Sequence, residues 1–224
     1  MKTFFEILTA ATEAERMQLY SVPQITDARH GNITRESYLA YLEQAYHHVK
    51  HTVPLMMTAG SRLPESKEYL REALVEYTEE EVGHQEWILN DIKHAGGNAE
   101  QVRRGEPNAA TELMIAYAYD YVSRINPVGF FGMVFVLEGT SIQLATSVAD
   151  SLQTALGLPE NCFSYLGSHG SLDLEHMKFF ENLVNQIDDP DDQQAIIHVA
   201  RRIFILFARV FESIPHKETL KHVV

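Results

Sequence analysis

Helical periodicity runs through almost the whole chain, and no segment shows the alternating apolar and polar pattern of a half-buried strand. Glycine, proline and capping residues divide this pattern into about seven helices with short connections. A chain of 224 residues is long enough to give such helices a well-buried common core. The sequence therefore predicts an all-α bundle that forms one domain over residues 1–224.

The predicted helix boundaries rest on turn and capping residues. A first helix covers Thr3–Tyr20, and a turn follows at His30–Asn32. The other predicted helices run from the N-cap Thr34 to Gly60, from Pro64 to Gly96–Gly97, from Asn108 or Thr111 to Asn126–Pro127, from Pro127 to Gly157, from the segment around His169 to about Ile187, and from a cap at 188–192 through the final apolar helix.

Charge and cysteine content limit the classes of partner and compartment. The formal net charge of −13 disfavours nucleic acid and anionic membrane surfaces, because both would repel the protein. Cys162 is the only cysteine, so no intramolecular disulfide can form and a reducing, cytoplasmic environment fits. Acidic residues interrupt the N-terminal segment before a signal-peptide core could form. The longest apolar run, 128–137, is about half of what a bilayer requires, so we expect no membrane span.

Two segments carry potential metal ligands at helical spacing. In 168–176, SHGSLDLEH, His169, Asp173 and His176 follow one another at intervals of four and three, which places them on one stripe of a helix. In 79–84, EEEVGH, either Glu80 or Glu81 shares a helical face with His84. A solvated acidic face with an incidental histidine is the alternative interpretation of the second segment.

Glu138 is the strongest single anomaly in the sequence. Apolar residues surround it in GMVFVLEGTSI, so a helix in this segment is expected to be buried on nearly all sides. An unpaired carboxylate in such a place costs several kcal/mol, and it would normally take up a proton or bind a cation. A salt bridge or a hydrogen bond to a tyrosine is the structural alternative.

Together these residues resemble the ligand order of a known family. The sequence of Glu-x-x-His, then Glu, then His-x-x-x-Asp-x-x-His is similar to that of the heme-oxygenase-like di-iron oxidases. Their superfamily also contains TenA-type thiaminases and pyrroloquinoline-quinone synthase. The resemblance implies a heme-oxygenase-like bundle in which two Fe(II) ions activate dioxygen to oxidise a small organic molecule. The metal ligands that it implies are Glu81, His84, Glu138, His169, Asp173 and His176.

The donor types agree with this metal, although manganese would also suit them. A mixed set of carboxylates and imidazoles favours iron or manganese over metals that prefer thiolates. Some relatives take a further carboxylate from the early helix, where this chain has His47, His48 and His51. Whether one of these histidines supplies a further ligand stays open, and at least two of them are expected on an ordinary polar face.

The surroundings of the centre are also predicted. Aromatic residues expected to line a dry pocket are Phe130, Phe131, Phe135 and Tyr165, and Gly132 and Gly139 are expected to leave room beside the metals. The apolar final helix either closes the bundle or forms a homodimer interface, and closure is the preferred interpretation.

Two alternatives to a di-iron oxidase stay open. One is a metal-free TenA-like protein that binds or hydrolyses a thiamin-related heteroaromatic ligand. The resemblance disfavours it, because this chain has Ala45 where those enzymes have an aspartate, and it has no cysteine in the helix around Glu138. The other is a non-catalytic bundle whose buried polar residues bond only to one another.

Overall fold

The regular structure is helical throughout the part of the chain that the structure describes. The computed structural model describes residues 2–215, without the side chains of residues 145–147, 149–150 and 168–175. Within these limits the all-α prediction is confirmed, but there are twelve α-helices instead of about seven. They are α1 Phe4–Ala11, α2 Glu13–Tyr20, α3 Pro23–Arg29, α4 Arg35–Val49, α5 Thr52–Arg62, α6 Glu68–Glu81, α7 His84–His94, α8 Ala99–Arg104, α9 Ala109–Arg124, α10 Phe130–Leu156, α11 Ser164–Val184 and α12 Pro190–Glu212.

Several helix boundaries lie where the capping residues predict them. The side chains of Thr34, Asn108 and Asp189 each accept a backbone N–H at the start of α4, α9 and α12. These bonds satisfy donors that the first turn of a helix leaves without an intrahelical partner. Gly157 follows α10 with φ +61°, a left-handed conformation that ends a helix at little cost in a residue without Cβ.

The additional helices arise largely because three long predicted helices are interrupted. Thr12 separates α1 from α2, Lys50 and His51 separate α4 from α5, and Val82 and Gly83 separate α6 from α7. Gly60 was predicted to end a helix, but it lies inside α5. Pro54 in the first turn of α5 explains the second break, because a proline has no N–H to donate to the preceding turn. The short helices α3 and α8 were not predicted.

The centre of the fold is α10, which packs along α11 and α12. Gly132 allows a close approach to α12, since a Cβ at this position would meet the backbone O of Ile196 and would lie 2.8 Å from the backbone N of Ala200. Gly132 therefore serves helix packing, and its predicted place beside the metals is wrong. The buried face of α12, which includes Ile203 and Phe204, closes the bundle as expected.

Among residues 2–215, one stretch is long and apolar enough to cross a membrane, judged by length and composition alone. It covers Pro127–Leu144, with 56% of its residues buried inside the protein, and it is longer than the run 128–137 considered from the sequence. The same test is passed by core helices of soluble proteins, and α10 packs between two other helices in the core.

Candidate metal centre

Glu81 and His84 contact each other across a turn between two helices. α6 ends at Glu81 and α7 begins at His84, and the two residues between them include Gly83 with φ +97°. The Oε2 of Glu81 lies 3.0 Å from Nδ1 of His84. The pairing is present, but the predicted reason is wrong, because the residues do not share one helical face. A glycine fits at the turn since other residues rarely adopt this left-handed conformation.

Glu80 forms the second carboxylate–imidazole pair. Its Oε2 lies 2.7 Å from Nε2 of His176 on α11. The two glutamates differ in exposure, because the side chain of Glu80 is 46% exposed and that of Glu81 is 12% exposed. Both imidazoles are buried. Consecutive glutamates at the end of α6 thus reach imidazoles on two different helices.

Glu138 faces a cavity that it shares with Glu81. The cavity has a volume of about 890 Å³, including its opening to solvent. Glu138 is half-buried with a fully buried Oε2, so it is less enclosed than the sequence suggested. The polar residues of the lining are Glu81, Glu138, His48, Thr52, Thr140 and Ser141, and the remaining residues are mostly apolar.

Only some of the predicted pocket residues line this cavity. Phe130 and Tyr165 do so. Phe131 is fully buried in the core, and Phe135 stacks on Phe180 with a centroid distance of 6.0 Å, so their predicted place in the lining is wrong. Among the described side chains, a Cβ at Gly139 would contact only Cε of Met177, at 3.6 Å, so none of them demands a glycine at this position.

Tyr77 shows that negative charge collects at this end of the bundle. Its hydroxyl is buried and has no hydrogen-bond partner among the described residues. Burial raises its pKa, and the carboxylates that raise it further are Glu138, Glu80, Glu76 and Glu81. Tyr77 also contacts His176, with ring centroids 6.1 Å apart. Carboxylates next to imidazoles form a donor set that an iron or manganese ion would fit and neutralise.

The described side chains do not by themselves form a complete metal site. Within them, no three His, Cys, Asp or Glu side chains lie close enough together to hold an ion. His169 and Asp173 lie on α11, but their side chains are outside the described residues. The described part supplies two carboxylate–imidazole pairs and Glu138, and the six-residue ligand set stays a prediction.

The three histidines of the early helix have different surroundings. His48 lines the cavity with Glu81 and Glu138. His47 and His48 are both buried, so the prediction that at least two of the three lie on a polar face is wrong. Nδ1 of His47 lies 3.3 Å from Nζ of Lys50. His51 contacts the hydroxyl of Tyr119. Of the three, only His48 lines this cavity.

Residues that the sequence analysis did not assign to the centre support it. Trp87 packs on the ring of His84, with centroids 4.1 Å apart and an interplanar angle of 31°. Asp91 is fully buried and accepts the backbone N–H groups of Ser164 and Tyr165. Tyr77 lies three residues before Glu80, and Trp87 lies three residues after His84. Helical spacing could therefore have identified Tyr77 and Trp87 as neighbours of the candidate centre.

The residues relevant to a thiaminase lie away from this cavity. Cys162 is fully buried, and it does not line this cavity. Burial raises the pKa of its thiol, and the nearby charge of Asp91 raises it further, which keeps the thiol protonated and unreactive. Ala45 is buried in an apolar cluster with Leu42.

The sequence matches one family model and no curated protein. The model of a family described as iron-containing redox enzymes matches residues 39–208.

Solved structures show the same fold at low sequence identity. A Shewanella denitrificans domain of unknown function with a heme oxygenase-like fold is 23% identical with a TM-score of 0.85, over 100% of this chain and 96% of that chain. A TenA homologue from Pseudomonas syringae pv. tomato is 11% identical with a TM-score of 0.76, over 93% and 91%. The heme oxygenase of Leptospira interrogans is 15% identical with a TM-score of 0.72, over 94% and 99%. The heme oxygenase-like fold is thereby confirmed.

Proposed function

Since the chain belongs to the family of iron-containing redox enzymes, we propose that it is a non-heme di-iron oxidase or oxygenase acting on a small organic molecule. The observation that carries the proposal is the convergence of Glu81 and Glu138 on one cavity, beside the imidazole pairs of His84 and His176. The residues that would hold the metal are these four, together with His169 and Asp173 from α11.

The protein's own residues would fix the geometry of the ligands. The contact between Glu81 and Nδ1 of His84 orients the imidazole, and the packing of Trp87 on the same ring restricts its rotation. Contacts that fix the orientation of a ligand affect metal affinity strongly, because they set the direction of its lone pair. When bound, iron would supply the electrons and the site for dioxygen activation.

The rest of the cavity is suited to a small organic substrate. Phe130, Met133 and Phe207 contribute apolar surface close to the carboxylates. Apolar walls exclude water and leave a few polar groups to orient a ligand. His48 and Ser141 are two of the polar lining residues outside the proposed ligand set, and their side chains can donate a hydrogen bond to the substrate or accept one from it.

A TenA-like activity is the second candidate, supported by the fold shared with the Pseudomonas syringae TenA homologue. The local chemistry is against it, because Cys162 is buried with a raised pKa and lies outside the cavity. A hydrolysis that starts from a cysteine thiolate has no nucleophile at this site.

Anaerobic titration of the metal-free protein with Fe(II) tests the proposal. We expect saturation at about two equivalents. The variants His176→Ala and Glu138→Gln should each reduce the affinity or the stoichiometry. His198→Ala and Glu79→Gln are matched controls, because both residues are exposed and lie outside the cavity, and both variants should titrate like the unchanged protein.

Three results would contradict the proposal. They are no Fe(II) binding, binding that is indifferent to His176→Ala and Glu138→Gln, and stoichiometric binding of heme with no binding of Fe(II). Stabilisation by pyrimidines without any response to iron would favour the TenA-like alternative instead.

A further inference from the structure

A second cavity lies next to the one that contains the carboxylates. Its volume is about 660 Å³, including its opening to solvent, and we call it the outer cavity; the one with Glu81 and Glu138 is the inner cavity. The outer cavity lies among α3, α4, α10, α11 and the end of α12. Its apolar lining includes Ile25, Ala28, Ile33, Val148 and Leu152.

The two cavities are separated by residues that line both of them. Tyr41, Leu144, Leu166 and Phe211 occur in both linings, and each comes from a different helix. The ring of Tyr41 stacks on Phe211 with centroids 5.8 Å apart and an interplanar angle of 16°. Side-chain rotations are fast compared with backbone rearrangements, so a partition made of such groups can open without unfolding a helix.

Two of the polar residues that line the outer cavity bond to the backbone at the end of α12, and the other polar lining residues include Asp27, Asn32 and Tyr38. The hydroxyl of Ser37 donates to the carbonyl of Pro215 at 2.7 Å, and the amide of Gln24 donates to the carbonyls of Glu212 and Ile214. These bonds attach residues 212–215 to α3 and α4, and the rest of the lining is mainly apolar. The outer cavity is therefore suited to an uncharged apolar group.

The polarity of the two cavities is complementary along one direction. Along α4 and α10 the lining of the inner cavity runs from His48 and Glu138 to Tyr41 and Leu144, which line both cavities. The outer cavity begins at Tyr41 and continues with Tyr38, Val148 and Leu152. A ligand that spans both would have a polar group at the carboxylates and an extended apolar part beyond the partition.

We propose that the two cavities are one divided binding site and that Tyr41 determines how long an apolar part the substrate can have. This inference rests on the proposed function, because it takes the inner cavity as the place of reaction. The substrate class is an elongated amphiphile, which places its polar end at the carboxylates and its apolar part beyond the ring of Tyr41. The ring turns aside for long ligands and limits the site to the inner cavity for short ones.

Binding of a homologous series of neutral probes tests this arrangement in the metal-free protein. Dissociation constants of 1-alkanols from 1-butanol to 1-dodecanol are measured by displacement of an environment-sensitive dye. Each buried methylene should tighten binding by about fourfold. In the unchanged protein this gain should continue into the longer alkanols, because their alkyl chains enter the outer cavity.

Two variants with opposite effects test where the alkyl chain of the probe lies. Ala28→Phe fills the outer cavity from a half-buried position, so the gain should stop at a shorter chain length while short members bind as before. Tyr41→Ala should tighten the long members at least tenfold and leave the short ones within about twofold. Tyr41→Phe keeps the ring and should retain the length profile of the unchanged protein.

The results separate this inference from the proposed function. If neither Ala28→Phe nor Tyr41→Ala changes the dependence on chain length, the divided site is refuted, whatever the iron titration gives. If Fe(II) does not bind but the profiles shift as described, the divided site stands and the di-iron proposal fails. Circular dichroism and the melting temperature of each variant show whether it is folded, and the half-buried Ala28 position keeps the test available if Tyr41→Ala does not fold.

Discussion

The buried carboxylate of Asp91 on α7 caps the first turn of α11, where it accepts the backbone N–H and the hydroxyl of Ser164. It also accepts the backbone N–H of Tyr165 at 2.9 Å. The N-cap residue of α11, Phe163, has no side chain that could accept a hydrogen bond. The backbone N–H groups in the first turn of α11 therefore depend on an acceptor from another helix. α7 carries His84 and α11 carries His176, so this contact fixes two ligand-bearing helices relative to each other.

Asp91→Ala should therefore destabilise the protein and weaken iron binding together. Removing the carboxylate leaves three partly buried donors without this charged acceptor, and the free energy of unfolding should fall by about 2–4 kcal/mol. Ser164→Ala removes only the hydroxyl bond and should cost about 1 kcal/mol. Urea denaturation and Fe(II) titration of both variants measure the effects. An Asp91→Ala protein as stable as Ser164→Ala would contradict the capping role.

The two glutamates at the end of α6 should differ in their effect on iron affinity. Glu81 lines the cavity and is mostly buried, whereas Glu80 is 46% exposed. Glu81→Gln should weaken Fe(II) binding by at least about tenfold, and Glu80→Gln should weaken it less. The exposed Glu79 on the same helix supplies the control, Glu79→Gln. A larger loss for Glu80→Gln would transfer the ligand assignment to Glu80.

Two glycines on α10 should respond in opposite ways to alanine. A Cβ at Gly132 would meet the backbone of Ile196 and Ala200, so Gly132→Ala should cost about 2 kcal/mol or more through overpacking. At Gly139 the near atom among the described side chains is Cε of Met177, at the end of a flexible side chain. Gly139→Ala should leave stability unchanged or raise it by up to ~1 kcal/mol through helix propensity. Melting temperatures of the two variants give the comparison, and equal shifts would contradict it.

Stability should fall as the pH is lowered because His47 is buried as a neutral imidazole. Burial, then Lys50 and His51, lower its pKa from 6.5 to about 4. The unfolded chain therefore takes up the proton first, so the contribution of His47 is complete above pH 6.5 and is lost as the pH falls toward 4. Between pH 7 and pH 5 the loss should be about 1–2 kcal/mol.

Urea denaturation at the two pH values measures this loss. In His47→Gln the pH dependence should be smaller by that amount. A pH dependence that is identical in His47→Gln and in the unchanged protein would show that another group is responsible.

The sequence predicts helix boundaries well where one residue controls them locally. Thr34, Asn108 and Asp189 cap helices through their own side chains, and Gly157 supplies a left-handed end. The interruption at Gly83 was missed because helical periodicity continues across it, although a glycine between two polar runs permits such a break. Short helices such as α3 depend on packing against α10, which periodicity does not reveal.

The candidate centre was predictable only to the level of residue types. Spacing paired Glu81 with His84, and the structure does bring these two into contact; only the family resemblance joined His176 to them. The contact between Glu80 and His176 links helices far apart in sequence, so it could not be derived from spacing. Asp91 gave no signal, because a single aspartate within a helical pattern is ordinary. The cavities also depend on how distant helices pack.

The left-handed turn at Gly83 has a consequence for redesign. Since it places Glu81 and His84 on separate helices, the candidate centre cannot be transferred to another protein as one short helical segment. A recipient protein would have to reproduce the relative placement of α6, α7, α10 and α11 before any of these side chains could meet.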